Sequence, residues 1–271
     1  MIVSFQGERG AYSEDAIYKY FGEEVDVLPC KYLGDVFESV KMKRADYGVV
    51  PIENSITGSI VETYDLFLNY DLKVRGEVIV KVTHCLITHP DTDLESIEVV
   101  YSHPQAIAQC RSFLEQFGRN IIPTYDTAGS VKILRDKGLH NAAAIASERA
   151  SQIYGMKIVA RDIADEKENY TRFFVLAEED APPTGNDKTS IIFSVPHTPG
   201  ALYKALSEFA EREINLTKIE SRPTRKKLWE FNFYLDFEGH RSEKRFREAL
   251  EGLKSKAYFV KILGSYPKAV N

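Results

Sequence analysis

Cysteine is scarce in this chain of 271 residues. The three present, Cys30, Cys85 and Cys110, are odd in number and form no C-x-x-C pair. That speaks against a disulfide framework and reads as reduced, mostly buried thiols. Long apolar runs are also missing, and none approaches the ~18 residues that a membrane helix needs. No run of Lys or Arg occurs and the formal net charge is −5, so the basic footprint of nucleic-acid binding is absent. The histidines are scattered, and His84 and His89 lack the spacing of a zinc helix. Neither G-x-G-x-x-G nor a P-loop appears, and there is no G-x-S-x-G nucleophile elbow. The expectation is a protein without metal or cofactor that binds neither nucleic acid nor membrane. A strand pattern already starts at Ile2, which predicts no leader segment and a cytoplasmic location.

What is present fits an ordinary globular protein long enough for two domains, since 44% of residues are hydrophobic and 28% charged. The charged, Pro- and Gly-containing stretch at 178–188 reads as a linker. Before it, short apolar runs (2–5, 25–28, 47–50, 99–101, 143–146 and 158–160) alternate with helical stretches, an α/β and largely parallel pattern. The long strand-rich run at 74–89 is positioned to carry the chain from one half to another. Two lobes are predicted, about 1–77 with 163–180, and 78–162, and a cleft between lobes is the default ligand site. After the linker, "KTSIIFSV" alternates as a strand and Leu202, Leu206 and Phe209 recur at helical spacing. "NLTKIESR" and "WEFNFYLDFEG" read as strands, Phe246, Ala249, Leu250 and Leu253 share a helical stripe, and "AYFVKILG" closes as a strand. The order βαββαβ over about 80 residues is ferredoxin-like.

Four strand-to-helix turns hold the polar chemistry. They are "QGERGAYSEDA" with Ser13, Glu14 and Asp15, "PIENSITGSI" with Asn54, Ser55 and Thr57, "YSHPQAIAQC" with Ser102 as cap and Pro104 near the first helical position, and "YDTAGSVKIL" with Asp126 and Thr127. Each admits a plain reading as helix capping. Together they admit another, in which several helix N-termini converge on one cleft and their N–H groups hold carboxylates. His103 reads as structural and 89–93 as a solvated turn. A site rich in hydroxyls, amides and N–H groups suits a poised substrate that needs orientation and one proton donor.

The motifs "GERGAYSEDA", "PIENSITGSI", "SHPQAIAQC" and "NYTRFFVL" occur in the order and approximate spacing of prephenate dehydratase, and "PGALYKAL" and "IESRP" resemble its phenylalanine-responsive ACT domain. The resemblance covers nearly the whole chain. It implies a two-lobed, periplasmic-binding-protein-like (type II) catalytic domain at 1–180 and a ferredoxin-like ACT regulatory domain at 188–271. It also implies conversion of prephenate to phenylpyruvate, CO2 and water, regulated by L-phenylalanine. The central catalytic role falls on Thr171, whose hydroxyl is too weak an acid to ionise and is expected to orient and donate to the departing oxygen. Asn54, Ser55, Ser102, Gln109, Thr127, Arg172 and Phe173 are the candidate substrate contacts. Arg172 either pairs a substrate carboxylate or holds Glu166 and Glu168. Phe173 is either core or a wall against the substrate ring, and Glu53 reads as structural because a carboxylate would repel a dianion. Gly200, Ala201 and Leu202, with Glu220, Ser221, Arg222 and Pro223, border the implied phenylalanine site. Such sites form between paired domains, so a homodimer or homotetramer is implied. Arogenate dehydratase, a two-lobed binding protein without catalysis, and an amino-acid sensor stay open as rivals. The missing leader and the appended domain oppose the second, and the intact "NYTRF" opposes the third.

Overall fold

The computed structural model describes residues 1–224 and 230–269. Trp229, where the fourth element of the C-terminal domain is expected to begin, and the last two residues lie outside them. The chain opens with β1 (Ile2–Gln6), α1 (Tyr12–Phe21), β2 (Asp26–Cys30), α2 (Leu33–Lys41), β3 (Tyr47–Asn54), a short β4 (Gly58–Ser59), α3 (Val61–Asn69) and β5 (Lys73–Lys81). It continues with β6 (Cys85–Thr88), β7 (Val99–Ser102), α4 (Pro104–Gln109), α5 (Arg111–Phe117), β8 (Asn120–Pro123), α6 (Thr127–Lys137), β9 (Ala142–Ala146), α7 (Glu148–Tyr154), β10 (Lys157–Ala160) and the returning strand β11 (Tyr170–Ala177). The remainder is β12 (Asp187–Ser194), α8 (Ala201–Ala210), β13 (Leu216–Pro223), β14 (Phe231–Glu238), α9 (Lys244–Lys256) and β15 (Phe259–Pro267).

Two compact units result, Met1–Leu66 with Val78–Phe173, and Phe67–Glu77 with Phe174–Asn271. The first unit holds both lobes except residues 67–77 and 174–177. One sheet has the order β2-β1-β3-β11-β5, with β1 parallel to β2 and β3. Helix α2 covers it because Val36, Phe37 and Val40 fall on one helical face, and all three are buried beside Val3, Phe5 and Val49. Fully burying side chains of this size contributes about 1.5–3 kcal/mol each. The other sheet has the order β10-β6-β9-β7-β8. Its strand β9 is an unbroken buried run of Ala142–Ala146, as expected for a central strand covered on both faces.

Both crossings between the lobes fall later than the sequence pattern suggests. β5 stays in the first sheet as far as Lys81, so the outward crossing is at 82–84 rather than near 77. Ile163 and Ala164 belong to the second lobe's core with Leu86, Val100 and Ile145, so the return falls at 165–169 rather than at 163. An apolar extended run leaves no compositional mark at the residue where it leaves one sheet for another.

The second unit contains the βαββαβ sequence folded as a sheet of order β13-β14-β12-β15, with every pairing antiparallel. On one face Ile191, Phe193, Leu235 and Phe237 meet Phe209 of α8 and Phe246, Leu250 and Leu253 of α9. The opposite face carries Ser190, whose hydroxyl donates to Asp236 Oδ1 at 2.6 Å, and Tyr266, whose ring meets Phe174 edge-on at 5.5 Å. That packing brings the end of β11 and the 67–77 segment into this unit, so its outline is wider than residues 188–271.

Candidate active site

A cleft in the first unit is lined by the openings of four turns. The first is Ala11, Tyr12 and Ser13 at α1, and the second is Pro51, Asn54 and Ile60 ahead of α3. The third is His103, Gln105 and Ala106 at α4, and the fourth is Tyr125, Asp126 and Thr127 at α6. The convergence of helix openings is therefore realised. Caps do part of the local work. His103, rather than Ser102, caps α4 by accepting from the Gln105 N–H at 3.2 Å, with Pro104 at the first helical position. Asp126 caps α6 by accepting from the Gly129 N–H at 2.7 Å. Helix α1 opens at Tyr12 with no side-chain cap, so Ser13 has no such role.

Asn54 is the hub of the polar floor and is only 3% exposed. Its Nδ2 donates to Asn169 Oδ1 at 2.7 Å, Thr171 Oγ1 at 3.0 Å and the Tyr170 carbonyl at 3.2 Å. Its Oδ1 accepts from the N–H groups of Ile56 and Thr57 at 3.1 Å. Because Asn54 donates to Thr171 Oγ1, that bond leaves the threonine proton uncommitted. The strand's period of two decides the rest of the motif: Thr171 and Phe173 face the cleft, and Arg172 faces away. Arg172 lies 3.6 Å from Glu53, which likewise alternates with Asn54 on β3. The carboxylate beside Arg172 is thus Glu53, in place of the expected Glu166 or Glu168, while Glu168 lies 3.7 Å from Lys81. Phe173 lines the cleft and is only 1% exposed.

Ser55 and Ser102 do not line the cleft. The Ser55 hydroxyl accepts from the Tyr170 N–H at 2.9 Å and donates to the Glu168 carbonyl at 3.1 Å, stitching the loop after β3 to the start of β11. Ser102 is fully buried and donates to the Ile145 carbonyl at 2.7 Å, tying β7 to β9. Thr127 and Gln109 do line the cleft.

Gln109 leads to residues that the sequence pattern did not single out. Its Oε1 accepts from Asn169 Nδ2 at 3.1 Å and lies 2.8 Å from His84 Nε2. That acceptor places the His84 proton on Nε2. The Tyr12 hydroxyl donates to the Thr83 carbonyl at 2.8 Å and lies 3.0 Å from His84 Nδ1. Burial pushes the pKa of His84 down, with the Gln109 bond opposing, and burial lowers His103 too, so both rings favour the neutral form. Gln109 Nε2 is buried with no hydrogen-bond partner, which leaves two N–H donors for a ligand. Among the described residues the lining contains no Lys or Arg, and Asp126 is its one carboxyl group. The donors this lining offers are N–H and O–H groups rather than formal cations. Among the described residues no group of His, Cys, Asp and Glu is arranged to hold a metal.

In the second unit Gly200 caps α8 with φ 78°, and Ala201 and Leu202 line a small cavity with Val195, His197, Phe231 and Phe233. Glu220, Ser221, Arg222 and Pro223 lie on the edge strand β13, one strand away, where Pro223 pairs with Phe231. Glu220 lies 3.8 Å from Arg222. No described helix is long and apolar enough to cross a membrane.

A two-lobed α/β domain whose cleft is lined by helix openings, followed in the chain by a ferredoxin-like domain, defines the class: a periplasmic-binding-protein-like catalytic domain with an ACT domain. The prephenate dehydratase family profile matches residues 3–181 and the ACT domain profile matches 189–255. The bifunctional chorismate mutase/prephenate dehydratase of Aquifex aeolicus is 47% identical over 271 residues, which covers 99% of this chain and 74% of that protein. The arogenate dehydratase/prephenate dehydratase 2 of Arabidopsis thaliana is 45% identical over 276 residues, covering 98% and 72%. Prephenate dehydratase from Arthrobacter aurescens, solved in complex with L-Phe, superposes with TM-score 0.90 at 32% identity, covering 99% of this chain and 90% of that one. A structure described as a quorum-quenching acylase gives the same score and identity, covering 98% of each chain. The chain belongs to the prephenate dehydratase family, and it carries an ACT domain.

Proposed function

We propose that the cleft of residues 1–180 converts prephenate to phenylpyruvate, CO2 and water. In the substrate the electron pair of the breaking ring–carboxylate bond moves into the ring and expels the hydroxyl group, which leaves with a proton as water. The ring becomes aromatic, so the driving force lies in the substrate and the protein has to orient it and assist departure of one oxygen. The observation that carries the reading is the bond from Asn54 Nδ2 to Thr171 Oγ1, which aims the threonine proton elsewhere. The Thr171 hydroxyl hydrogen-bonds to the departing oxygen without ionising, the proton that completes the water coming from solvent; Gln109 and Thr127 bind substrate oxygens, and Phe173 packs against the ring. Arg172 acts through Glu53 to hold the strand, and Ser55 and Ser102 position the loop and β9.

The reading extends to regulation. L-phenylalanine binds the ACT domain of residues 188–271 beside Gly200–Leu202 and Glu220–Pro223 and biases the catalytic cleft, a coupling typically worth ~1–3 kcal/mol. The edge strand β13, with Ile219 exposed, supports pairing of two copies as a homodimer or homotetramer, working in the cytoplasm.

Purified protein with prephenate and no added metal is expected to release phenylpyruvate, and L-phenylalanine is expected to inhibit it. Absence of turnover, or hydrolysis of acyl amides in its place, would overturn the reading.

A further inference from the structure

The cleft's single carboxyl group shares its lining with two imidazoles, His84 and His103, and among the described residues no cation holds it in place. Asp126 sits at the mouth of α6, and Thr127, the first residue of that helix, lines the same cleft. Its neighbours come from three elements. Gly7 of the loop after β1 is so close that a Cβ there would lie 2.9 Å from Asp126 Oδ2. Glu8 of the same loop adds negative charge and is itself held by Lys132 of α6 at 2.9 Å and the Tyr125 hydroxyl at 3.1 Å. Tyr154 of α7 is close enough for the Asp126 charge to raise its pKa. Across the cleft stand Tyr12, His84 and His103. Lys132 of the same helix is engaged by Glu8.

Two substrates of this family's chemistry differ at one group. Prephenate carries a keto acid and is a dianion, whereas arogenate carries an ammonium group in place of the keto oxygen. We infer that Asp126 is the specificity-determining residue of the cleft: protonated, it donates to an oxygen of the dianionic keto acid, and ionised, it pairs with the ammonium of the amino acid. The inference rests on the dehydratase reading of the site. Helix capping alone does not call for an acid, since Asn caps as well as Asp. Burial, then the Glu8 charge, push the Asp126 carboxyl up to about 6, against the backbone N–H groups of Gly129, Glu8 and Ala128 that pull it down. The switch is therefore set close to neutral pH, and a bound dianion moves it further toward the protonated form.

The test measures kcat/KM for prephenate and for arogenate between pH 5 and 8.5, on wild type, Asp126→Asn and Asp126→Ser, with a competitive inhibition constant standing in where arogenate is not turned over. Wild type is expected to lose prephenate kcat/KM by about tenfold per pH unit above a break near the free-enzyme value, while arogenate recognition improves over the same range. Asp126→Asn is expected to remove the break and to weaken arogenate at least tenfold relative to prephenate. A wild-type prephenate profile that is flat between pH 5 and 8.5 overturns the inference without any variant. So does a break that survives in both variants. No turnover of either substrate by wild type would instead sink the dehydratase reading itself.

Discussion

Asn54→Asp is the sharpest perturbation of the floor, because it keeps shape and volume while replacing the donor Nδ2 with an acceptor. In the native cleft the two Nδ2 protons serve Asn169 Oδ1, Thr171 Oγ1 and the Tyr170 carbonyl. A carboxylate there faces three acceptors. Thr171 has one way to relieve the conflict, which is to turn its own proton toward the introduced carboxylate. The substrate's leaving oxygen then loses that hydrogen bond, although Thr171 is still present. Leaving two buried acceptors without donors costs about 2–4 kcal/mol of stability. The rate penalty is that of losing a positioned hydrogen-bond donor, about 10²–10³ in kcat. The assay is phenylpyruvate release at saturating prephenate, paired with urea unfolding. Since Asn54 acts through the Thr171 proton, Asn54→Asp combined with Thr171→Val is expected to be scarcely worse than either change alone. Wild-type turnover by Asn54→Asp, or full additivity in the double variant, would refute the reasoning.

Other outcomes follow from the same geometry. The Asp126 carboxyl holds its proton up to about pH 6 in the folded protein against an ordinary value of 3.8. The folded state therefore binds more protons than the unfolded state between pH 4 and 6, and stability falls as pH rises through that window. Asp126→Asn is expected to be more stable than wild type above pH 6 by at most about 2–3 kcal/mol and not below pH 4, and equal melting temperatures at pH 7.5 would contradict this. Gly10 has φ 88°, and a Cβ there would sit 2.6 Å from Ala150 Cα in the other lobe. Gly10→Ala is expected to cost about 2–4 kcal/mol, and an unchanged melting temperature would show that the two segments part easily. Gly200→Val or Arg222→Ala is expected to weaken inhibition by L-phenylalanine at least tenfold, and an unaltered inhibition curve would remove those residues from the regulatory site.

Periodicity made much of this molecule legible. The period-two aromatics of β14 and the helical stripes of α8 and α9 specify the βαββαβ domain, because each stripe has one apolar face to bury. The same period, applied to Thr171, Arg172 and Phe173, separates the cleft face from the far face. Long-range partners left no such trace. Ser102 looks like a cap until Ile145, 43 residues away, takes its hydroxyl. His84 stands alone in an apolar run, and its bonds reach Tyr12 and Gln109, at separations of 72 and 25 residues. Asp126 reads as a capping residue from its neighbours in sequence, and only the packing of Glu8 against it shows a carboxyl poised to change charge.

The central claim is that the Thr171 hydroxyl assists departure of the substrate's oxygen. Turnover of prephenate by Thr171→Val, which keeps the side chain's shape and removes the proton, tests it most directly, with Thr171→Ser as the variant that restores it. The account predicts a fall in kcat of about 10²–10⁴ for Thr171→Val, a folded protein by circular dichroism, and recovery of most activity in Thr171→Ser. A Thr171→Val enzyme that releases phenylpyruvate at the wild-type rate would contradict it.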